Sequence, residues 1–598
     1  MKKSTIYKTV YLLIVLMICF SSCESYLDKS PQSDIEENDA FKNFISFQGF
    51  VEEMYNCITD YNKTGAWNNY LFADEVLNNS PYAFDLGNYW YQDRPFYNTS
   101  VGINTGLDSR TKRVWPLCWY GIRKANMGLS KLDLLTDATQ EEKNLIKGQC
   151  LFFRGWFHFE LMRYWGGLPY IDKFLLPADN LNLPRLSYRE TALKAAEDFK
   201  AAAELLPVDW DQTVVGQRTL GNNRQRINKI YALGFLGKDL LYAASPMMNE
   251  ESTGNASFDV ELCKQAADVF GKVLDICNTT GAYQLLGWDN WTDNFWVWSP
   301  GNRVLPGGTE AIMEPTVYMP SRVKYSTVYG TLPTQFGGGY AGVEVPAHSF
   351  VKNYGMANGL PIDDPASGYN PNDPWTGREP RFYKDIIIDG DQLVVSAEGG
   401  DDRYAQLYNG GRHRATTGGS ITGYYYKRFS PIGCNPWDKK LDYFQAYVPY
   451  LRLADIYLMY AEAVLQGYGS ASSTSTTLNF SAEQAVNSIR NRAQLPDLTP
   501  KYAGTKEALM ESIIRERAVE LAFEAHRFCD LRRWNLNGDM KFREKTAIDF
   551  DRDPITGKPV NLKERIIITR VVEKKHNWLP FPIDIVNLYP EFPQNPGW

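Results

Sequence analysis

Apolar residues recur at alternating steps of four and three residues in several stretches of this chain, which is the spacing of one face of an α-helix. The clearest case is residues 513–534, IIRERAVELAFEAHRFCDLRRW. Its apolar face consists of Ile514, Ala518, Leu521, Ala525 and Phe528, and its other sides carry Arg515, Glu516, Arg517, Glu520, Glu524 and Arg527. The pattern predicts a single helix that docks on a core through its apolar face.

Similar periodicity elsewhere predicts a helical protein. The segments cover about residues 41–56, 116–135, 141–165, 188–206, 228–245, 259–278, 453–465, 482–493 and 506–534. Paired amphipathic helices cannot bury their apolar faces alone, so consecutive pairs stack on one another. A strict repeat signature is absent, because long insertions separate the pairs. We therefore predict a mainly α fold in which tetratricopeptide-like stacked helix pairs form a superhelical scaffold, within about residues 41–280 and 450–535.

Two long insertions interrupt the helical pattern. We call them the first excursion, about residues 61–115, and the second excursion, about residues 281–449; both are rich in aromatic residues. Surface loops on a rigid scaffold commonly carry recognition. A flat aromatic ring can stack on the C–H face of a sugar while Asn, Asp and Arg bond its hydroxyls. The alternative is that these rings pack the loops onto the scaffold.

The chain after residue 577 is apolar and punctuated by prolines, in the sequence WLPFPIDIVNLYPEFPQNPGW. Each proline removes a backbone donor and fixes φ, which disfavours regular structure. The large apolar side chains are those of Trp578, Leu579, Phe581, Ile583, Tyr589 and Phe592. We predict that this segment lies extended across a preformed surface.

The N-terminus has the pattern of an export signal. Three lysines precede an apolar run at residues 10–20, which is too short to span a membrane as a mature helix. Small residues then precede Cys23, as in bacterial lipoprotein precursors, so we predict that residues 1–22 are removed and that Cys23 is lipidated. Several acyl chains on Cys23 would give stable membrane anchoring. The alternative is an ordinary signal peptide with an unmodified Cys23.

Charge and motif content exclude several function classes. The formal net charge of −7 argues against a nucleic-acid partner, which would require a basic surface. No phosphate loop, zinc-binding helix, paired CxxC or nucleophile elbow is present, so we predict no catalytic centre and no cofactor. The acidic residues Asp389, Asp391, Asp401 and Asp402 lack the spacing of a calcium loop, so no metal is predicted. No linker marks a boundary, so residues 23–598 are predicted to form one domain.

Several separated elements resemble the SusD/RagB family, the cell-surface nutrient-binding lipoproteins of Bacteroidetes. They are CESYLDKSPQSDI at residues 23–35, FFRGWFHFELMRYWGGLPYI at residues 152–171, ERAVELAFEAHRFCDLRRW at residues 516–534, and the closing LPFP and QNPGW. The resemblance spans nearly the whole mature chain, although residues 288–447 match only in general character. It implies a tetratricopeptide-like fold and an outer-membrane protein that is lipid-anchored and faces the cell exterior. It also implies a SusC-like TonB-dependent outer-membrane transporter as partner.

We expect the ligand contacts to lie in the two excursions. The resemblance places an acidic residue near the ligand groove at Asp74, although a helix cap or a solvated loop would also account for it. The stacking rings of the family lie in loops of variable sequence, so composition and location alone select the aromatic candidates. These are Tyr89, Trp90 and Tyr91 in the first excursion and Trp296, Tyr325, Tyr329 and Tyr340 in the second.

Three functions fit these features. The first, which we predict, is non-catalytic capture of an oligosaccharide or polysaccharide for import through the transporter. The second is peptide capture, as in RagB-like members, where backbone hydrogen bonds and charge would matter more than exposed rings. The third is a glycan-degrading enzyme, which needs two carboxylates several ångströms apart. The aromatic-rich excursions favour a glycan, and no acid pair stands out.

Overall fold

The computed structural model describes residues 37–58, 72–78, 84–89, 114–298, 309–314, 344–414, 418–429, 431–433, 435, 437–439, 444–446, 448–588 and 592–598. Its α-helices are α1 Glu37–Lys42, α2 Phe44–Tyr55, α3 Val114–Ser130, α4 Gln140–Trp165, α5 Tyr188–Leu205, α6 Lys229–Ala244, α7 Pro246–Thr253, α8 Val260–Thr280, α9 His348–Val351, α10 Pro380–Asp385, α11 Leu453–Tyr468, α12 Ala482–Arg492, α13 Pro500–Ala503, α14 Lys506–Glu520, α15 Arg527–Arg533, α16 Met540–Arg543 and α17 Ile583–Leu588. Its strands are β1 Val76–Asn78, β2 Trp296–Trp298, β3 Ala311–Met313, β4 Glu344–Pro346, β5 Ile386–Ile387, β6 Tyr425–Tyr426, β7 Phe444–Ala446, β8 Leu451–Arg452, β9 Glu544–Arg552 and β10 Pro559–Thr569.

The long helices pack in succession along the chain. Helix α3 packs on α4, α4 on α5, α5 on α6, α6 on α8, and α8 on α11, which then contacts α12 and α14. Their buried faces belong to one continuous hydrophobic core. The predicted mainly α, tetratricopeptide-like stacked scaffold is therefore confirmed. None of the helices in the described ranges combines the length and the apolar character needed to cross a membrane.

Local sequence signals set the ends and the spacing of these helices. Helix α4 starts at a capping box in which Thr139 and Glu142 bond each other's backbone N–H groups. Close approach between helices depends on glycine, because a Cβ at Gly121 on α3 would lie 2.2 Å from the Phe157 ring on α4. Because the capping signal is local, the predicted bounds of α4, residues 141–165, agree with the observed bounds to within one residue.

The single helix predicted over residues 506–534 is wrong, because the chain breaks it after Glu520. Phe523 and Ala525 adopt left-handed backbone angles, with φ of 64° and 63°, which non-glycine residues rarely occupy. Distant side chains hold the break. Arg428 donates to the carbonyl oxygens of Glu520 and Ala522, and the N–H of Phe523 donates to Glu75. Most of the charged residues of the segment are buried as well. Arg515 is partly exposed, whereas the others are buried, namely Glu516, Arg517, Glu520, Glu524 and Arg527.

The proline-rich tail is bound to α4 as an extended segment over residues 578–582 and is helical in α17. The indole N–H of Trp165 donates to the Pro580 carbonyl oxygen at 3.1 Å. Asn595 donates to the carbonyl oxygens of Trp165 and Leu579, at 2.9 and 2.7 Å. The prediction of a docked tail is confirmed, whereas Ile583 begins a helical turn in place of the expected extended chain.

Five two-stranded antiparallel sheets complete the described fold. The pairs are β1 with β4, β2 with β7, β3 with β8, β5 with β6, and β9 with β10. All but the last involve the second excursion and contain two or three residues per strand. Sheets this short are marginal by themselves, so the excursion depends on contacts with the scaffold.

Candidate functional site

One strand of the first excursion pairs with one strand of the second. In the antiparallel pair β1 and β4, Val76 is opposite Pro346 and Asn78 is opposite Glu344. Strand β1 belongs to the first excursion and β4 lies in the middle part of the second. Because the strands are antiparallel, the two excursions run in opposite directions over these three residues. The two aromatic-rich regions are therefore joined directly by one strand pair.

A pair of tryptophans forms an aromatic surface on the second excursion. Trp296 and Trp298 are two residues apart on β2, so their side chains lie on the same face of the strand. Their ring centroids are 5.8 Å apart with an interplanar angle of 67°, and both side chains are partly exposed. We call this pair the platform. Trp298 was not among the predicted residues, although the alternation in Trp-Val-Trp is the signal that could have identified it.

The residues just before β2 fix the platform to the protein interior. Trp291, in the 3-10 helix Trp288–Asn294, is fully buried, and its indole N–H donates to Glu520 at 3.3 Å. Phe295 is also fully buried. The guanidinium carbon of Arg428 lies 4.8 Å from the Trp291 ring and 4.6 Å from the Phe295 ring, within cation–π range. The chain thus places Phe295 inside and Trp296 toward the surface.

Arg428 and Glu520 belong to a buried group of acidic and basic side chains that we call the platform cluster. It consists of Glu310, Glu379, Arg381, Asp385, Arg428, Arg452, Arg492, Glu516, Glu520 and Glu524. Arg452 contacts Glu310 and Glu520 at 2.7 Å each and Glu524 at 2.8 Å. Arg428 contacts both Asp385 and Glu524 at 2.8 Å. The cluster joins the second excursion to the end of α14.

The carboxyl groups of this cluster are ion-pair partners and have no access to solvent. Burial alone would raise the pKa of Glu520, but Arg492, Arg452 and Arg381 together hold it well below its usual range. Burial raises the pKa of Glu524 despite its two arginine neighbours. Both side chains are fully inaccessible. These acids are therefore placed to hold the excursion, and an external substrate could not reach them.

A second buried group, the scaffold cluster, joins helix to helix. It consists of Lys238, Asp455, Glu462, Arg517, Asp530 and Arg533. Asp455 on α11 contacts Lys238 on α6 at 2.9 Å and Arg517 on α14 at 2.8 Å. Arg533 on α15 binds the carboxylate of Glu462 through two nitrogens. The motif at residues 516–534 therefore supplies members to both clusters.

Asp74, predicted as a polar ligand contact, lies inside the protein. Its side chain is 3% exposed and forms two 2.9 Å bonds with the Arg527 guanidinium. Burial would raise the pKa of Asp74, but the charge and hydrogen bonds of Arg527 outweigh it and lower that pKa. A carboxylate that is paired and buried in this way has no oxygen left for a ligand. The structure thus contradicts the expectation for Asp74 and gives it the role of holding the first excursion to α15.

Tyr89 is likewise buried, at 1% exposure. Its ring centroid lies 4.3 Å from that of Phe84, 4.8 Å from that of His576 and 5.7 Å from that of Trp598. The ring is therefore packed among protein rings and offers no open face for stacking, contrary to the prediction for this residue. This is the loop-packing alternative that the composition left open.

Of the predicted aromatic contacts within the described ranges, Trp296 is the one that is partly exposed. Trp90, Tyr91, Tyr325, Tyr329 and Tyr340 lie outside the described residues, as does Cys23. The roles assigned to them stay predictions.

Two of the acidic residues considered for calcium are paired with arginines. Asp389 accepts a 2.7 Å bond from Arg552, and Asp402 lies 3.2 Å from Arg412. Across the part of the chain that the structure describes, no group of three or more His, Cys, Asp or Glu side chains could hold a metal ion.

Comparison with known proteins identifies the relatives of this chain. The family model described as "SusD family" matches residues 308–598, and the model described as "Starch-binding associating with outer membrane" matches residues 25–222. SusD-like protein P2 of Formosa agariphila is 23% identical, with 89% of this chain and 92% of that protein covered. SusD-like protein P38 of the same organism is 21% identical, with 90% and 92% covered.

Solved structures show the same fold. A SusD-like protein from Bacteroides fragilis superposes with a TM-score of 0.67 at 22% identity, covering 95% of this chain and all of that one. A SusD-like carbohydrate binding protein from the same organism superposes with a TM-score of 0.65 at 17% identity, covering 92% and 99%. At these identities the likeness establishes the architecture and leaves the ligand to be argued from the site.

Proposed function

Because the chain belongs to the SusD/RagB family, we propose that it is a non-catalytic surface protein that captures an oligosaccharide or polysaccharide for import. The observation that carries the proposal is the platform, in which Trp296 and Trp298 are partly exposed on one face of β2. Indole rings bury the C–H faces of sugars, and polar loop residues bond the hydroxyl groups. The glycan would lie against the platform.

The remaining parts of the proposal concern location and partner. Lipid on Cys23 anchors the mature domain, residues 23–598, to the outer membrane with its binding face toward the exterior. A SusC-like TonB-dependent transporter receives the glycan. The description of the matched model, which names starch and the outer membrane, supports this setting. Labelling with a palmitate analogue tests the anchor, and co-purification of a β-barrel from solubilised membranes tests the partner; an unlabelled protein or a missing barrel would contradict the respective part.

We propose binding without chemistry because the buried acids to which the platform segment is attached are all paired with arginines. Glu520 and Glu524 each contact arginine and are inaccessible. A glycosidase needs one carboxylic acid and one carboxylate that both reach the scissile bond. Incubation with a bound oligosaccharide should therefore release no shorter product, and sustained release would establish an enzyme instead.

An array that carries both oligosaccharides and peptides tests the ligand class. For the tightest oligosaccharide, Trp296→Ala and Trp298→Ala should each weaken binding by about 1–3 kcal/mol, the usual loss for a central aromatic contact. Trp119→Ala, at another partly exposed tryptophan on α3, is the matched control and should leave affinity unchanged. Calorimetric titration gives the affinities. Binding of peptides alone would favour the RagB-like alternative, and equal affinity of all three variants would exclude the platform.

A further inference from the structure

The platform strand is too short to fix its own position. Strand β2 has three residues and pairs only with the three residues of β7 within the described structure. Isolated two-stranded sheets of this size are at best marginally stable in water. Trp296 and Trp298 also pack in part against the hydrophobic core, so their spacing depends on how the strand is held against the scaffold. The residues that hold the strand determine the shape that the platform presents.

We infer that Trp291 and Glu520 are positioning residues that fix the platform to the end of helix α14. The inference rests on the proposed function, because it concerns the surface that would stack on the glycan. Trp291 precedes Phe295 by one helical turn in sequence, and its indole N–H donates to the Glu520 carboxylate inside the protein. Neither residue contacts the ligand in this inference; both act through the backbone that leads into Trp296.

Glu520 is a rigid acceptor for this bond. Arg452 lies 2.7 Å and Arg381 3.1 Å from its two carboxylate oxygens, and Arg492 also pairs with it. Because its pKa is held well below the usual range, the carboxylate stays ionised at any physiological pH. A fixed, ionised acceptor holds a buried indole donor more strongly than a neutral group would. The arginines thus determine where Trp291 sits, and Trp291 determines where β2 begins.

A second contact supports the start of the same turn. The Lys384 ammonium donates to the carbonyl oxygen of Trp288 at 2.8 Å and lies 4.4 Å from the centroid of the Trp288 ring. The Trp288 and Trp291 rings are stacked, with centroids 5.5 Å apart. The 3-10 helix before β2 is therefore held at Trp288 by Lys384 and at the buried Trp291 ring by Glu520.

The scaffold cluster contains the matched contact that a control requires. The indole N–H of Trp534 donates to the Glu462 carboxylate at 2.8 Å, and Arg533 pairs with the same carboxylate. This is again a buried tryptophan on an arginine-bound glutamate, but it joins α15 to α11 and does not lead to the platform. Trp291→Phe and Trp534→Phe therefore remove the same bond at a platform site and at a scaffold site.

Hydrogen–deuterium exchange on the full mature protein tests the inference without a ligand. Trp291→Phe should speed amide exchange in residues 288–298 and 444–446 at least tenfold, whereas Trp534→Phe should leave those segments within twofold of the wild type. Equal exchange in the two variants would overturn the inference. If either phenylalanine variant is unfolded, Trp291→Tyr and Trp534→Tyr replace the pair, with the same expectation.

Calorimetric titration with maltoheptaose, or with the tightest array oligosaccharide if maltoheptaose does not bind, supplies the second measurement. Trp291→Phe should weaken affinity at least fivefold and Trp534→Phe less than twofold. Faster exchange with unchanged affinity would overturn the positioning role. If no oligosaccharide binds the wild type but exchange changes as expected, the proposed function fails while the structural linkage stands.

Discussion

The two buried clusters both combine acidic with basic side chains and both take members from residues 516–534, yet they connect different parts of the molecule. Within α14, Arg517 belongs to the scaffold cluster and joins helices. Its neighbours Glu516 and Glu520 belong to the platform cluster; they bind Arg381 and Arg452, which lie outside the stacked helices, and Glu520 also binds Arg492 on α12. One helix therefore faces both the regular scaffold and an irregular excursion.

The two clusters differ in what their buried ion pairs add to the structure around them. Stacked helices satisfy their own backbone groups and already bury apolar faces, so the scaffold cluster adds to contacts that exist without it. The second excursion has little regular structure, and its backbone groups and the end of α14 need partners from side chains. Arg428 supplies them, because it donates to main-chain oxygens of Glu520 and Ala522 as well as to carboxylates. We expect the platform cluster to determine local geometry and the scaffold cluster to contribute mainly stability.

The largest expected effect comes from removing one arginine from each cluster. Arg452→Met and Arg533→Met should each lower the free energy of unfolding by about 3–5 kcal/mol, because each leaves buried carboxylates without a partner. Urea denaturation gives the values. Only Arg452→Met should also speed amide exchange in β3 and β8, which it joins to α14. A loss below 1 kcal/mol in either variant would show that water or a rearrangement replaces the arginine.

A smaller effect is expected from Glu75, which connects the first excursion to the break in the 506–534 segment. Burial raises the pKa of Glu75 to about 8, and its carboxylate accepts a 2.8 Å bond from the N–H of Phe523. The folded protein therefore binds more protons than the unfolded chain between the ordinary pKa of 4.5 and about 8. This contribution to stability is complete below pH 4.5 and is lost as the pH rises through 8.

Glu75→Gln keeps the acceptor and removes the titration. At pH 8.5 the variant should be more stable than the wild type by about 1–3 kcal/mol, the cost of burying a charge without a full set of partners. The difference should shrink as the pH falls toward 5. Thermal melting across this range measures it, and a difference that does not depend on pH would contradict the assignment. Glu520 contrasts with Glu75, because the lowered pKa of Glu520 confines its loss of stability to strongly acidic solution.

The smallest expected effect is at Tyr89. Its hydroxyl is buried and has no hydrogen-bond partner in the part of the chain that the structure describes. Tyr89→Phe retains the packed ring, so stability should stay within about 0.5 kcal/mol of the wild type. Oligosaccharide affinity should not change. A marked loss of affinity without a loss of stability would return Tyr89 to the binding site and narrow the contrast between the two excursions.

The helical part of the fold could be predicted because its causes are local. The capping box at Thr139 and the periodic apolar face of α4 lie within the helix that they define. The break after Glu520 could not be predicted in this way. The side chains that hold it, Glu75 and Arg428, are distant in sequence. Periodicity also placed the charged residues of this segment off the apolar face, but it could not show that most of them are buried.

The site was predicted less completely, for a related reason. Composition identifies aromatic loops, but exposure depends on neighbours that composition does not reveal. Tyr89 is covered by His576 and Trp598, and Asp74 is neutralised by Arg527. Trp296 and Trp298 are brought together by strand alternation, a local signal, and this pair could have been read from the sequence once β2 was recognised.

The contacts at the base of the first excursion also determine when, during folding, this excursion can dock on the helices. Asp74 and Arg527 are 453 residues apart, Asp85 and Lys545 are 460 apart, and Phe72 is 498 residues from the arginine that binds its carbonyl oxygen. Closing such long loops is entropically costly and slow compared with forming local helices. A chain that emerges from its N-terminus can stack α3 to α8 while these partners are still missing. The first excursion therefore settles onto the protein late, and a chain truncated before residue 527 would leave the base of this excursion without its buried ion pairs.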